Sequence, residues 1–404
     1  MSLCSQQTSY SSDSVFAGNC QPASYYWEAT LHNESVKAAP STASTVSLRN
    51  RSPLGLSLAA LGYMIPTPSL ETTSNPGLLD GLLREINHRQ PEFKGRTSPW
   101  LKWQIPHDLL DNTDVTQLMY FIGRQFQLSD QRNNFYCVSF ALKELDAERL
   151  ALFKGLGFNA IEFVFEHDDA FNSETLNYCS SLAQGFQFQH FGLQLQAPPP
   201  EAAKTLHETF HLGGRQPDTI TFRPPASFGV NDGQQFQALF WDLKTLGYEV
   251  LGNDYFVSPS SPLASARKDH HLVRNLRGYN CQAVSDVLGL GPGNTSATGQ
   301  IRLTNPEALD TYLNSEFNQY TIEPVSTATK RMVDQLLCYH QLDLAYFRQH
   351  YELETERILD TLTMTPYLES TPPLFGVQDD ILTLTSSGVL HLSALCMTLH
   401  SQLS

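Results

Sequence analysis

Between residue 52 and about residue 256, short apolar or β-branched runs alternate with longer stretches whose apolar positions recur every three to four residues. The runs at 54–61, 100–105, 135–140, 160–165, 188–195, 219–222 and 249–253 predict strands. The stretches between them predict helices at 77–89, 112–126, 146–155, 172–183, 200–212 and 232–246. In the first, Leu78, Leu82, Leu83 and Ile86 share a face; in the second, Val115, Leu118, Met119 and Ile122 do, behind an Asn/Thr start. Gly157, Gly185 and Gly247 follow three of these helices and suit left-handed helix ends. Alternation at about 30 residues per unit means βα units on a parallel sheet. Six or seven units are too few for a closed eight-fold barrel and suggest a partial one; a doubly wound sheet gives the same rhythm.

After residue 257 the rhythm breaks. Pro259, Pro262, Gly278, Gly289, Gly291, Gly293 and Gly299 predict a loop-rich segment. Helices are then expected at 306–314, 328–339, 344–351 and 354–362. A hairpin follows at 374–377 and 381–384 around Asp379-Asp380, and a last helix begins near Ser387. Helices with one hairpin suggest a winged-helix arrangement. Residues 1–51 are rich in Ser, Thr, Asn and Gln and read as a polar arm, with Tyr25-Tyr26-Trp27 as its only anchor. The expected organisation is an arm (1–51), an α/β partial barrel (52–256) and a mainly helical C-terminal domain (257–404).

Charge removes several function classes. The chain of 404 residues carries a formal net charge of −15, and its last 84 residues carry 4 Lys/Arg against 10 Asp/Glu. Nucleic-acid binding needs clustered cations, so the winged-helix pattern does not predict DNA binding here. An anionic membrane surface is disfavoured for the same reason. No run approaches the apolar length of a membrane span, and the N-terminus lacks the basic and apolar segments of a signal peptide. Seven cysteines, scattered and odd in number, fit free thiols in a reducing cytoplasm.

Several segments carry a resemblance. Leu251-Gly-Asn-Asp-Tyr-Phe256, Arg274-Asn-Leu-Arg-Gly-Tyr279, Asp286-Val-Leu-Gly-Leu-Gly-Pro-Gly293, Asn305-Pro-Glu-Ala-Leu-Asp-Thr-Tyr312 and Leu382-Thr-Leu-Thr-Ser-Ser-Gly388 occur in that order. In order and spacing they resemble the oxygen-independent coproporphyrinogen III oxidases, a branch of the radical S-adenosylmethionine enzymes. The resemblance covers roughly residues 52–400. It implies a radical SAM partial (β/α) barrel with a C-terminal domain of coproporphyrinogen oxidase type. The family cofactors would be a [4Fe–4S] cluster on three closely spaced thiolates and S-adenosylmethionine.

The implied cofactor positions are altered. Counting on from the first strand, the three cysteine positions become Tyr63, Thr67 and Leu70. Phenol, hydroxyl and isobutyl groups do not bind such a cluster as thiolates do. The tyrosine that precedes the cluster loop in the family falls at Ser57. The glycine turn after the second strand reads Trp103-Gln-Ile-Pro-His-Asp108, whose side chains block a close backbone approach. The ribose-binding glutamate of the third strand becomes Ser139, and the aspartate of the fifth becomes Gln194, followed by Pro198-Pro199-Pro200. All these changes fall at strand C-terminal ends, where a barrel of this kind builds its site.

The expectation is a non-catalytic relative, with no catalytic residues, no metal and no cofactor of its own. It would act in porphyrin and haem metabolism as a tetrapyrrole binder or as a partner regulating an active oxidase. Arg274, Asn275, Tyr279, Gly291 and Gly293 would form the retained surface, since guanidinium pairs with propionate in two-pronged fashion. Retention of the same segments for folding alone is the blander alternative. An active oxidase drawing on Cys4 and Cys20, or an interaction module with no tetrapyrrole, are the competing readings. His270-His271 and Cys281 read as surface histidines and an inert thiol rather than haem or metal ligands. Glu166 and Asp168 read as a solvated loop rather than an acid–base pair. Whether Tyr63, Trp103 and Phe165 fill the mouth left by the cluster is open at this stage.

Overall fold

The computed structural model describes residues 52–60, 77–129, 133–197, 201–211, 215–223, 230–299, 301–317, 321–322, 327–364 and 373–403. The arm, Tyr63, Thr67, Leu70 and the prolines at 198–200 lie outside the described residues.

The predicted rhythm is realised as a six-fold βα series. The strands are β1 (Leu54–Ala59), β2 (Trp100–Gln104), β3 (Phe135–Ala141), β4 (Ala160–Phe165), β5 (His190–Leu195) and β6 (Thr219–Phe222). They pair in chain order, all parallel. After each comes one helix: α1 (Leu78–Arg89), α2 (Asn112–Gln125), α3 (Ala147–Gly155), α4 (Ser173–Gly185), α5 (Ala202–His211) and α6 (Val230–Thr245). Capping fixes the helix starts. Asp111 and Asp114 form a reciprocal capping box ahead of α2, while Asp146 and Asn172 cap α3 and α4.

The helix ends hold one correction. Gly157 and Gly247 adopt the left-handed conformation at φ 93° and 94°, but after α4 the left-handed residue is Gln187, at φ 56°, rather than Gly185. The helix runs to Gly185, two residues beyond the expected end at 183, so the turn is displaced. In all three cases the next residue, Phe158, Phe188 or Tyr248, donates its N–H back to the helix and sinks into the core.

The edges also differ from the expected series. The segment at 249–253 was expected to continue the parallel sheet. Instead β7 (Glu249–Leu251) is the outermost strand, and β8 (Tyr255–Val257) lies antiparallel between it and β6. Gly252 at φ 59° turns the chain back on itself within three residues.

At the other edge, the segment read as loop contains strands. α7 (Pro262–Lys268) and a separate hairpin of β9 (Val273–Asn275) and β10 (Gly278–Asn280) come first. β11 (Asp286–Leu290) then pairs parallel to β1, so residues beyond 256 complete the sheet. β12 (Thr295–Thr298), β13 (Ile301–Thr304) and β14 (Thr321–Ile322) continue it antiparallel. The order is β14-β13-β12-β11-β1-β2-β3-β4-β5-β6-β8-β7, and β7 and β14 do not pair, leaving a partial barrel. These strands are rich in Gly, Ser and Thr, which hides their alternation. At Gly289 a Cβ would stand 2.3 Å from the Thr295 carbonyl oxygen, so close passage of the chain requires glycine there.

The C-terminal part is winged-helix-like. α8 (Leu309–Leu313) precedes α9 (Thr327–Tyr339), then β15 (Gln341–Asp343) and α10 (Leu344–Met364). α10 breaks at Tyr351 (φ −148°, ψ 50°), between the two helices expected from sequence. β16 (Phe375–Gln378) and β17 (Ile381–Leu384) form a hairpin with β15 added alongside β17. Asp379 and Asp380, at φ 50° and 59°, make its two-residue turn. α11 (Ser386–Leu390) and α12 (Leu392–Leu403) close the chain. No described helix is long and apolar enough to cross a membrane.

One buried imidazole ties this part to the barrel edge. His340 receives an N–H from Arg267 at Nδ1 and donates from Nε2 to the Gly252 carbonyl, both at 2.8 Å. Those partners fix the neutral Nε2–H tautomer. Burial, followed by the Arg267 charge, pushes its pKa down to about 3. A depressed histidine favours the fold fully above the unfolded value and loses that contribution as pH falls towards the folded one. Wild type should therefore lose stability between about pH 6.5 and pH 4, by on the order of 3 kcal/mol from this group. Glu85, raised by burial, works in the opposite direction. The comparison is consequently wild type against His340→Gln in denaturant titrations across that range. A difference that stays constant with pH would refute the assignment.

Candidate functional site in the barrel interior

Strand register decides which side chains enter the barrel. Leu56, Leu101, Phe163 and Leu193 alternate onto the helix-covered face and are buried there. The opposite face carries Ser57 beside Lys102, and Ser139 beside Glu162. One step further towards the strand C-termini come Gln104 and Gln194, also buried. The interior is therefore polar, and its charged centre is an ion pair.

Lys102 Nζ stands 3.0 Å from Glu162 Oε2, with the side chains 10% and 6% exposed. Ser139 donates its hydroxyl to the same oxygen at 2.9 Å. Burial alone would raise the Glu162 carboxyl; the Lys102 charge and hydrogen bond, then Ser139 and Arg223, overcome it and hold the group below its ordinary value. Burial pushes the neighbouring Cys137 thiol far up, with Glu162 adding to it, so this thiol is no nucleophile at neutral pH. Tyr255 is likewise raised by burial and then by Glu162.

Below this pair lies a cavity of about 400 Å³. Trp100, Phe135, Ala160, His190 and Thr219, the first residues of five strands, line it, together with Lys102, Glu162 and Tyr255. α7 and the β9–β10 hairpin cover it, contributing Ser261, Arg277 and Tyr279. It thus opens towards the strand N-termini. Burial lowers the His190 pKa, so that wall is neutral imidazole.

The residues singled out from sequence are not brought together. Tyr279 is 4% exposed, packs edge-on against Tyr255 and donates its hydroxyl to the Leu337 carbonyl. Asn275 is spent on the Val284 carbonyl and the Arg277 N–H. The Arg274 guanidinium lies over the Tyr279 ring at 5.3 Å. Arg277, rather than Arg274, lines the cavity, with a hydrogen bond to Asn294 Oδ1.

Gly291 and Gly293 belong to a separate knot. The Gly291 N–H, Asn305 Nδ2 and the Tyr312 hydroxyl all donate to the Glu85 carboxyl of α1, at 2.7–2.9 Å. Gly293, at φ 70°, donates to the Pro306 carbonyl. The glycine-rich run and the Asn305–Tyr312 segment are thereby joined at one buried acid.

Ser57, Ser139 and Gln194 do face the interior; the Ser57 hydroxyl and the Gln194 amide nitrogen are buried without a hydrogen bond among the described residues. Trp103 and Phe165 do not fill the mouth. They sit on the helix face, against Phe153 and Phe158 and against Phe171, because their strand positions are odd with respect to Lys102 and Glu162. Glu166 pairs with exposed Lys143 at 2.8 Å, and Asp168 is exposed, a solvated loop. His270 packs on Tyr339, while His271 and Cys281 reach the cavity rim. Among the described residues no three His, Cys, Asp or Glu side chains converge on a metal position. Sequence reasoning passed over Lys102 and Glu162. The available signal was a charged residue within each of two otherwise apolar runs, Trp-Leu-Lys-Trp and Ala-Ile-Glu-Phe-Val-Phe.

No protein-family model matches the chain. Curated relatives do. The oxygen-independent coproporphyrinogen III oxidase of Pseudomonas aeruginosa is 26% identical over 327 residues, covering 70% of this chain and 69% of that protein. The enzyme of the same name from Escherichia coli is 24% identical over 360 residues, covering 79% and 77%. Among solved structures, coproporphyrinogen III oxidase (HemN) from Escherichia coli, a radical SAM enzyme, superposes with a TM-score of 0.73. That match covers 93% of this chain and 99% of that one, at 20% identity. With its six-fold βα series and winged C-terminal part, the chain is a divergent relative of the oxygen-independent coproporphyrinogen III oxidases, built on their radical SAM fold.

Proposed function

We propose that this chain is a non-catalytic relative of those oxidases that acts in tetrapyrrole metabolism as a binding or regulatory protein. The carrying observation is the donor set of the barrel interior. A [4Fe–4S] cluster needs closely spaced thiolates. The aligned positions Tyr63, Thr67 and Leu70 offer none; among the described residues Cys137, Cys179, Cys338 and Cys396 sit on four separate elements and Cys281 in the loop after β10. The residues present do not fit the cluster, and radical chemistry that belongs to the cofactor does not follow from the scaffold. Lys102, Glu162 and Ser139 occupy the interior as a mutually satisfied group instead. Support for a tetrapyrrole comes from the names of the relatives and from Arg277, a guanidinium beside the cavity suited to a propionate.

Anaerobic reconstitution with iron and sulfide should leave the protein without cluster absorbance and without cleavage of S-adenosylmethionine. Titration with coproporphyrin III and with haem should give a saturable Soret shift, weakened roughly tenfold by Arg277→Ala and much less by Arg274→Ala. A reconstituted cluster would overturn the non-catalytic reading. A flat titration would overturn the tetrapyrrole reading and direct attention to protein partners, an active oxidase first.

A further inference from the structure

The cavity below the ion pair has a recognisable pattern of walls and polar groups. Its walls are aromatic: Trp100, Phe135, Tyr255 and Tyr279. Phe135 and His190 stand 5.5 Å apart, and Tyr255 and Tyr279 5.3 Å apart. Such walls favour a flat, π-bearing molecule. Its volume, about 400 Å³, is at the small end of the range for ligand pockets.

Three polar groups mark one end. Lys102 carries three N–H donors, one of which meets Glu162 Oε2. Glu162 Oε1 adds acceptor capacity beside it. Trp100, 2% exposed and two residues before Lys102 on the same strand face, has an indole N–H with no acceptor among the described residues. A buried donor of that kind costs stability unless an acceptor meets it. Lys102 and Glu162 neutralise one another. A ligand with net charge would upset that balance in a poorly solvated place, and a zwitterion would bring two further charges to desolvate. An uncharged molecule with an acceptor next to a donor would satisfy both partners without disturbing the pair.

We infer that this cavity is a binding site for a small, uncharged, planar heteroaromatic molecule with a lactam edge. Its carbonyl accepts from Lys102 and from the Trp100 indole, and its ring N–H donates to Glu162. None of the altered cofactor positions Ser57, Ser139 and Gln194 lines the cavity, although Ser139 hydrogen-bonds Glu162 at its end. The site rests on Trp100, Lys102 and Glu162 rather than on Arg277, and does not depend on whether a tetrapyrrole binds.

The test is calorimetric titration of the full chain with four probes: hypoxanthine, N1-methylhypoxanthine, indole-3-carboxylate and L-tryptophan. Hypoxanthine should bind saturably. Blocking its lactam N–H by methylation should weaken binding at least tenfold, and the anion and the zwitterion should bind more weakly still. Trp100→Phe keeps a ring in the wall and leaves the ion pair alone; it should weaken hypoxanthine about tenfold without loss of fold by circular dichroism. No heat with hypoxanthine on folded wild type overturns the inference. So does tighter binding of indole-3-carboxylate or L-tryptophan, or an affinity unmoved in Trp100→Phe. The coproporphyrin titration has a separate readout, so either proposal can fail alone.

Discussion

Gly291→Ala should destabilise the protein by about 3 kcal/mol or more, read as a lowered midpoint in denaturant unfolding. Two independent costs combine. Gly291 holds φ at 107°, a backbone region that L side chains rarely adopt. A Cβ there would also stand 2.1 Å from the Ala59 carbonyl oxygen at the end of β1. Backbone atoms on both sides cannot move aside as a side-chain tip would. Displacing Gly291 also pulls its N–H from Glu85, leaving a fully buried carboxyl with one donor fewer. Glu85→Gln provides the graded comparison. An amide of the same shape keeps one acceptor but turns an NH2 towards groups that donate, for a loss of about 1–2 kcal/mol. Equal stability of Gly291→Ala and wild type would refute the close approach. A similar Gly95→Ala loss would show that positive φ alone explains it, since Gly95 at φ 85° has open space around it.

This knot accounts for part of the resemblance seen in the sequence. The Asp286–Gly293 and Asn305–Tyr312 segments meet at α1, joining the end of the chain's sheet to its first helix. Those hydrogen bonds give both segments a folding role that needs no cofactor. The same holds for the Arg274–Tyr279 run, whose asparagine and tyrosine are committed to backbone carbonyls of the protein itself.

The six βα units were legible because each strand is apolar on a helix-covered face and each helix has a clear stripe. Residues 160–165 and 219–222 were read with their observed boundaries for that reason. β11 to β13 were not legible. Their inward positions mix Val287 and Gly289, Thr295 and Ala297, Arg302 and Thr304, so no period of two stands out, and glycine pattern alone looks like loop. The altered cofactor positions Ser57, Ser139 and Gln194 were expected at strand C-terminal ends from the family's order; that they share the interior face follows from the strand register. The charged centre was not found. Lys102 and Glu162 are 60 residues apart in sequence, and only the order β2-β3-β4 brings them together across Ser139. Trp103 and Phe165 were considered for the mouth because they sit near strand ends. A shift of one residue along a strand reverses the face, and both belong to the helix side.

Lys102→Met should cost about 3–5 kcal/mol, and the double variant Lys102→Met/Glu162→Gln should recover most of that loss. The single change leaves the Glu162 carboxyl buried, with Ser139 as its remaining close hydrogen-bond partner. Its pKa then rises, because the charge that held it down is gone and the burial that raises it remains. The sign of the pH effect follows. In wild type the depressed carboxyl contributes stability above the unfolded carboxylate value and loses it as pH falls through the folded one. In Lys102→Met the carboxyl is raised, so its contribution is present in acid and is lost as pH rises. The single variant should therefore approach wild type in stability below about pH 5 and diverge from it towards neutrality. The double variant, with an amide in place of the carboxyl, should run parallel to neither curve through that window. Urea midpoints for the three proteins across the range decide it. A Lys102→Met deficit that is the same in acid and at neutrality would mean that the lysine contributes packing by its aliphatic stem, and that the ion pair is not the centre around which this interior is built.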